Sequence, residues 1–464
     1  MAWDSTSGSP DEDINANLDT LRERSKDLYM GGSNVATGIL RTMQTNVIGS
    51  GLTLKPDIDS KFLKMTEQEA ENWRQNVVRE FEYFATSSNC DMFRLKNFYE
   101  MQQLAFLSML MSGDVFIMLP HKERHNFPYN LRIQLIEADR VKTPFDKETN
   151  KNINQGVERK NGEVVAYHIL KEYPSALEYA ESYKRIEAFG ASTGRRNILH
   201  LMESERPDQT RGVPLLAPVI ESLIMLGRYT QAELMAALVS SKFTVFIKSE
   251  NPETDPGHMM ARNEQIDALN PHTLELGNGL KNNLLPGEDI EIANPGRPNV
   301  AFDNFVTSLI RQIGTAVGMP YEVIVMQFTN SYSASRAANL VAWKMFMKRR
   351  VMFAASFCQP IYEEWLSEAV ARGRISAPGF FDDPIIRSAY CKAQWHGPTK
   401  GELDQYKSAK AIEILLAQGL TTREREAAEM TGTDFYANHR QLAKEAAMQK
   451  ELEDIIKGGD NGGK

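Results

Sequence analysis

With 464 residues, 42% of them apolar and 25% charged, the chain is too long for one ordinary compact domain and too apolar to be disordered throughout, so two to four domains are expected. No apolar run reaches the roughly eighteen residues of a membrane span, and the acidic, polar start from Met1 to Asp13 is the opposite of a secretory signal. A net charge of −8 argues against a tight grip on nucleic acid, which calls for a basic stripe. Three widely spaced cysteines, Cys90, Cys358 and Cys391, fit structural thiols in a reducing compartment, and no Cys/His spacing suits zinc.

In chain order, residues 1–17 read as a flexible leader. Leu21, Leu28, Val35, Ile39 and Met43 share a face and predict one helix from Asp19 to Asn46. Val47 to Pro56 reads as a short strand with a Gly-rich bend, followed by helices over 66–85 and 97–111. The strongest strand candidates are 115–119, 131–136 and 164–170, so the class is α+β, with strands clustered rather than alternating with helices. Pro214 starts a helix to about Val239 that is apolar on most sides and therefore expected to be buried on more than one. Phe243 to Ile247 reads as a strand. Over 249–299, nine acidic residues against three basic give a net −6, most of the excess negative charge of the whole chain.

Helical periodicity returns from Phe302 to Val317 and stops at Gly318-Met-Pro320. Residues 326–335 form a polar, uncharged loop, with Ser333 or Ser335 as cap of a long helix to about Arg372 that Pro360 should kink. Residues 373–398 look irregular. Short helices are expected at 401–418, 421–430 and 434–456, before a frayed tail.

No motif carries convincing chemistry. Gly190-Ala-Ser-Thr-Gly194 matches the nucleophile-elbow pattern, which would make Ser192 the nucleophile of a serine hydrolase, but the flanking Tyr183–Phe189 and Arg195-Arg196 do not supply an apolar strand and a helix; a turn is the better reading. No Gly-Lys-Ser/Thr phosphate loop occurs. His168 and His200 sit in strand-like runs as structural residues, and Glu221, in the helix after Pro214, lies on a polar strip or, alternatively, is a buried partner in a subunit contact. Neither catalytic nor metal residues nor a cofactor are expected. Lys344, Lys348, Arg349 and Arg350 cluster on the long helix, as a solvated or intersubunit salt-bridge strip or, alternatively, as a contact for DNA phosphates. The acidic insert reads as a soluble loop region or a docking surface that repels DNA.

Several ordered segments resemble the lambda-type portal proteins of tailed bacteriophages. They are Asp27-Leu-Tyr29, Thr45 to Leu54, Ser112-Gly-Asp-Val-Phe116, Gln134 to Arg140, Gly156-Val-Glu158, Val165 to His168, His200-Leu201 and Glu205 to Pro214. Gly318 to Glu322, Asn330 to Arg336 and Trp395 to Pro398 extend the match, so it covers about 18–445. Each piece is weak; the ordered set is specific. Against the family pattern the stretch before Ser9-Pro-Asp is short, as a processed or truncated chain would be.

The resemblance implies a portal fold: a mixed α/β wing at 18–212, stem helices at 213–241 and 301–325, an α/β clip at 242–300, a tunnel loop at 326–335, a long kinked helix at 336–372, a wing return at 373–398, a small helical crown at 399–456 and a flexible tail at 457–464. It also implies a head-to-tail connector, a ring of typically twelve copies at one capsid vertex, assembled in the host cytoplasm, through which double-stranded DNA is packaged and ejected. Expected partners are further copies of the chain, DNA, the terminase large subunit, head–tail adaptor or tail proteins and the major capsid protein, with no membrane. Another ring-forming head–tail connector is the alternative. On this reading Gln327, Phe328, Thr329, Asn330, Ser331, Tyr332 and Ser333 line the channel. Glu250, Glu253, Asp255, Glu264, Asp267 and Glu275 form the clip docking surface, and Leu216, Ile220 and Leu223 the ring interface.

Overall fold

The first long helical stretch breaks where its sequence stops favouring helix. In the computed structural model, which describes residues 8–173, 182–242, 246–249, 288–291, 301–328, 331–401 and 405–460, α2 (Leu18–Asp27) runs into a π-helical turn over Leu28–Gly32. Gly31 there takes φ +151°, which favours glycine. Ser33 then caps α3 (Asn34–Val47) by accepting from the Ala36 N–H. The single helix expected over 19–46 is thus two, because the 3.6-residue apolar spacing survives across the Gly-Gly-Ser break that separates them. Nor is the leader featureless: Pro10 and a Ser9/Glu12 capping box start α1 (Pro10–Asn15).

β1 (Thr53–Pro56) precedes α4 (Glu67–Ala85) and α5 (Phe98–Ser112), each opened by a capping box, Thr66/Glu69 and Asn97/Glu100. β2 (Asp114–Met118) is the central strand of a three-stranded antiparallel sheet, flanked by β3 (Gln134–Glu137) and β8 (Ile198–Met202). β4 (Ile153–Asn154), β5 (Val157–Lys160), β6 (Glu163–Leu170) and β7 (Tyr183–Glu187) form an antiparallel meander. Phe116, Ile136, Val141, Val157, Tyr167, Ile169, Ala188 and Ile198 make one buried cluster from both sheets.

A second, aromatic core draws on both ends of the chain. Phe81 of α4 meets Phe98, Tyr362, Trp365 and Trp395 with ring centroids 5.0–6.1 Å apart, all edge to face. β11 (Ala393–His396) pairs antiparallel with β1, Thr53 opposite His396.

Two units are distinguished: residues 1–223 with 310–464, and residues 224–309. The chain leaves the first along α6 (Ile220–Lys242) and returns along α7 (Phe302–Val317). Within the second unit Tyr229 stacks on Phe302 at 5.6 Å and meets Phe305 edge to face at 4.8 Å. β9 (Phe246–Ser249) pairs antiparallel with β10 (Glu288–Glu291). After α7 come α8 (Tyr321–Val325) and α9 (Tyr332–Phe353). The irregularity expected at Pro360 is a π turn over Ala354–Cys358, just ahead of α10 (Gln359–Ala371), where the proline sits in the first turn. The 373–398 stretch is more regular than its prolines and aromatics predict, for Asp383 caps α11 (Pro384–Cys391) ahead of β11. Helices α12 (Gln405–Ala417), α13 (Arg423–Thr431) and α14 (Phe435–Asp460) end the described chain, and no helix among the described residues is long and apolar enough to cross a membrane.

Candidate functional site

Gly113 ends α5 with φ +88° and delivers Asp114 to the first position of β2, fully buried. A lone buried carboxylate would be costly, and this one is surrounded by donors. Its Oδ1 accepts from Arg22 Nη2 at 2.9 Å and Arg211 Nη2 at 3.2 Å. Its Oδ2 accepts from Arg211 Nε at 2.6 Å and the Gly212 N–H at 3.1 Å, with His200 Nε2 at 3.2 Å. Burial opposes the charge on Asp114, but the guanidiniums of Arg211 and Arg22 outweigh it and hold the carboxyl well below its usual range. Burial also pushes His200 down, so the ring is neutral near pH 7 and, protonated on Nε2, donates to the carboxylate.

Arg211 is the hub. Its remaining N–H groups donate to Val141 O at 2.8 Å, Gln155 O at 2.6 Å and Ala138 O at 2.9 Å. Arg22 Nε donates to Ser112 O at 2.8 Å. One buried cluster thereby ties α2, the α5–β2 turn, both sheets and the 206–214 segment. That segment is fixed on its other side as well. Gln209 donates to Arg211 O at 2.8 Å and accepts from the Glu205 N–H at 2.8 Å, and Asp11 of α1 accepts from Thr210 N at 2.8 Å and Thr210 Oγ1 at 2.6 Å. The chemistry is that of a structural clasp, with every charge committed, at the point where the chain turns into α6.

The pH response of this clasp follows from the two shifts. Asp114, depressed when folded, contributes stability that is present above its unfolded value near 3.8 and is lost only as pH falls through its much lower folded value. His200 acts earlier. Its folded pKa lies below 6.5, so below about pH 6.5 the unfolded chain binds a proton the folded chain refuses, and stability declines. The urea midpoint is therefore expected to drop between pH 7 and pH 5.5, and to drop less in His200→Gln, whose amide can still donate to Asp114. Equal drops in the two proteins would remove His200 from the account.

Leu216, Ile220 and Leu223, expected at a ring interface, are instead buried within this chain's own first unit. They anchor the root of α6, and the correction has a simple reason: apolar periodicity marks burial without saying against what. The exposed apolar residues of α6 are Met225, Leu234, Met235 and Leu238, with Phe305 on α7. Leu223→Asp should therefore lower the stability of the chain itself by roughly 4 kcal/mol, through lost burial and an unpaired buried charge, seen as a lower denaturation midpoint by circular dichroism. Glu221, by contrast, is exposed and paired with Arg24 at 2.8 Å.

The loop reached from α7 is launched by a tight turn. Met319 N donates to Gly314 O at 2.8 Å, and Gly318 has φ +77°. A Cβ on Gly314 would lie 2.4 Å from Met319 O, so only glycine fits there. α8 packs on α3 and α9 and ends at Met326 in the left-handed conformation. Gln327 and Phe328 follow, both exposed; Thr329 and Asn330 lie outside the described residues. Ser331, not Ser333 or Ser335, caps α9 by accepting from Ala334 N. Tyr332 and Ser333 therefore belong to the first helical turn rather than to the loop. The six acidic residues from Glu250 to Glu275 assigned to a docking surface also lie outside the described residues.

The basic cluster on α9 divides. Lys344 is exposed, and Lys348 reaches Glu203 at 3.7 Å from the surface. Arg349 is mostly covered, 3.3 Å from Glu203 and against the Met43 and Met345 sulfurs. Arg350 is buried: it donates to Val47 O at 3.0 Å and Asn46 O at 2.8 Å, lies over the Trp343 ring, and is pushed down to about 10 by burial. It satisfies carbonyls of the last turn of α3 and is buried within this chain. Sequence reasoning missed Asp114, Arg22 and Arg211 as a unit. The available signal was a charged residue directly after Ser112-Gly113 in an otherwise apolar strand, which demands a buried partner.

A family model described as "Phage portal protein, lambda family" matches residues 1–350. The chain belongs to this family of phage portal proteins. It is similar to portal protein B of Escherichia phage lambda, 24% identical over 97% of this chain and 87% of the relative, and to the portal protein of Escherichia phage N15, 23% identical over 97% and 88%. Among solved structures, the neck of an empty GTA particle computed with C6 symmetry shares the fold: TM-score 0.53 at 13% identity, covering 87% of this chain and 92% of that one. Portal proteins are structural components of the virion, placed at the capsid vertex where head joins tail, and are not enzymes. Ser192 accordingly sits in a turn closed by Gly190 N to Arg195 O at 2.7 Å, with no helix after it.

Proposed function

We propose that twelve copies of this chain form the ring through which double-stranded DNA enters and leaves the head, that the terminase large subunit docks on it during filling, and that adaptor or tail proteins follow. The observation that carries the reading is the family match over residues 1–350, with relatives aligned over 97% of the chain. The wing, stem, clip, tunnel-loop and crown boundaries given above belong to this proposal, with α6 and α7 as stem.

Elementary geometry supports it. Twelve helices about 10–12 Å wide give a circumference on the order of 120 Å and a clear bore of about 28 Å, and a duplex is roughly 20 Å across, so it passes without a snug grip. Twelve copies at −8 each carry −96, which favours sliding over holding. Gln327, Thr329, Asn330 and Ser331 offer hydrogen bonds without charge, and Lys344 and Lys348 are the exposed cluster members, Lys348 beside Glu203 at 3.7 Å, that can meet a neighbour or a phosphate. Met225, Leu234, Met235 and Leu238 replace Leu216, Ile220 and Leu223 as apolar material for lateral contact. Negative-stain images of the purified chain test the proposal: rings with a central hole wide enough for a duplex are expected, and a chain that never closes into rings overturns it.

A further inference from the structure

The outer face of α9 is unusual in a chain of net −8, because the helix holds no acidic residue at all. Arg336, Leu340, Lys344 and Lys348 recur every four residues along its exposed side, with Val341 and Val351 exposed beside them. Arg336 and Lys344 form no ion pair among the described residues. On α2 the opposite pattern occurs: Asp19, Glu23 and Asp27 also recur every four residues on an exposed side, with exposed Met30 at its end. Asp19 meets Lys142 at 3.2 Å, whereas Glu23 and Asp27 form no ion pair among the described residues. Some helical acids elsewhere are matched within the chain, as half-buried Glu71 is by Arg440 and exposed Glu429 by Arg425, while Glu67 and Glu445 are exposed with no basic partner among the described residues.

We propose that, in the ring assigned above, the outer face of α9 docks on the acidic face of α2 of the next copy. A ring interface is heterologous, so two different faces of the same chain must be complementary. These two match in sign and in pitch, since four residues of helix rise about 6 Å on either side. The interleaved Leu340, Val341 and Val351 favour a protein partner over DNA: they gain from a surface that excludes water, which a sliding phosphate backbone does not provide. The inference rests on the ring reading and adds to it which surfaces meet.

The test uses the full chain, with ring content measured by analytical ultracentrifugation and negative stain. Lys344→Glu with Lys348→Glu should cut the ring fraction at least about tenfold by placing like charges together. Glu23→Lys with Asp27→Lys should do the same, and all four substitutions combined should restore rings. All four residues are exposed, so circular dichroism should be unchanged. Rings indifferent to each pair overturn this contact but leave the ring itself standing, including the outcome in which the lysine variant alters only DNA passage. A fourfold variant no better than either pair overturns it too. A wild-type chain that never closes into rings removes the assembly reading beneath it.

Discussion

Asp114→Ala is expected to cost about 3–5 kcal/mol of stability, enough to leave little folded protein at physiological temperature. The loss does not come from the alanine. It comes from Arg22 and Arg211, which stay buried with their charges uncompensated. Arg211 keeps its three carbonyl partners, so the damage falls on electrostatics first and hydrogen bonding second. Asp114→Asn should cost less, because the amide oxygen still accepts, but it loses the charge and turns an NH2 toward a donor. Urea unfolding followed by circular dichroism gives both numbers. An alanine variant within 1 kcal/mol of wild type, on the order of a surface substitution, would show that the cluster is not the clasp described.

Gly212→Ala should be nearly as severe, by a different route. Gly113 and Gly212 lie back to back, and a Cβ on Gly212 would stand 2.0 Å from Gly113 O and 3.0 Å from Met202 Cβ. The obstructing atom is backbone at the junction that fixes Asp114, so it cannot rotate away. The two segments must separate, which also lengthens the Gly212 N–H contact to Asp114. A loss of at least about 3 kcal/mol is expected. Gly162→Ala is the contrast: Gly212 has no positive φ, whereas Gly162 takes φ +87° with nothing within 4 Å of the added carbon, so there only the left-handed strain of roughly 1–2 kcal/mol applies. A loss at Gly212 no larger than at Gly162 would mean that the close approach to Gly113 is relieved at little cost.

Much of this architecture could be read from residue types. The apolar spacing of Phe302 to Val317 and its stop at Gly318-Met-Pro320 gave a helix whose observed end is Val317. Thr66 and Asn97 announced helix starts through their paired acids three residues on. What could not be read has physical causes too. Arg349 and Arg350 are adjacent and chemically identical, yet one lies against methionine sulfurs and an acid while the other caps the end of α3; only tertiary placement separates them. Leu223 and Leu234 belong to the same apolar run, but one is covered by its own chain and the other is not. Tyr332 and Ser333 looked like loop because they are polar, and a serine two residues earlier had already started the helix. In the site, the clasp was invisible because Arg22, Asp114, His200 and Arg211 are scattered over nearly 200 positions, and no local spacing links them.

The pairing of Thr53–Pro56 with Ala393–His396 has a consequence for how the protein is made. An early strand finds its neighbour only after some 340 further residues have been polymerised, and Phe81 waits roughly 280 to 310 residues for Trp365 and Trp395. Contacts so remote in sequence are slow to form. On the ribosome the amino-terminal half must emerge with its aromatic faces bare, and a message that terminates early yields a product that cannot finish its own interior. Closure of this interior thus has to wait until residues up to His396 have been made.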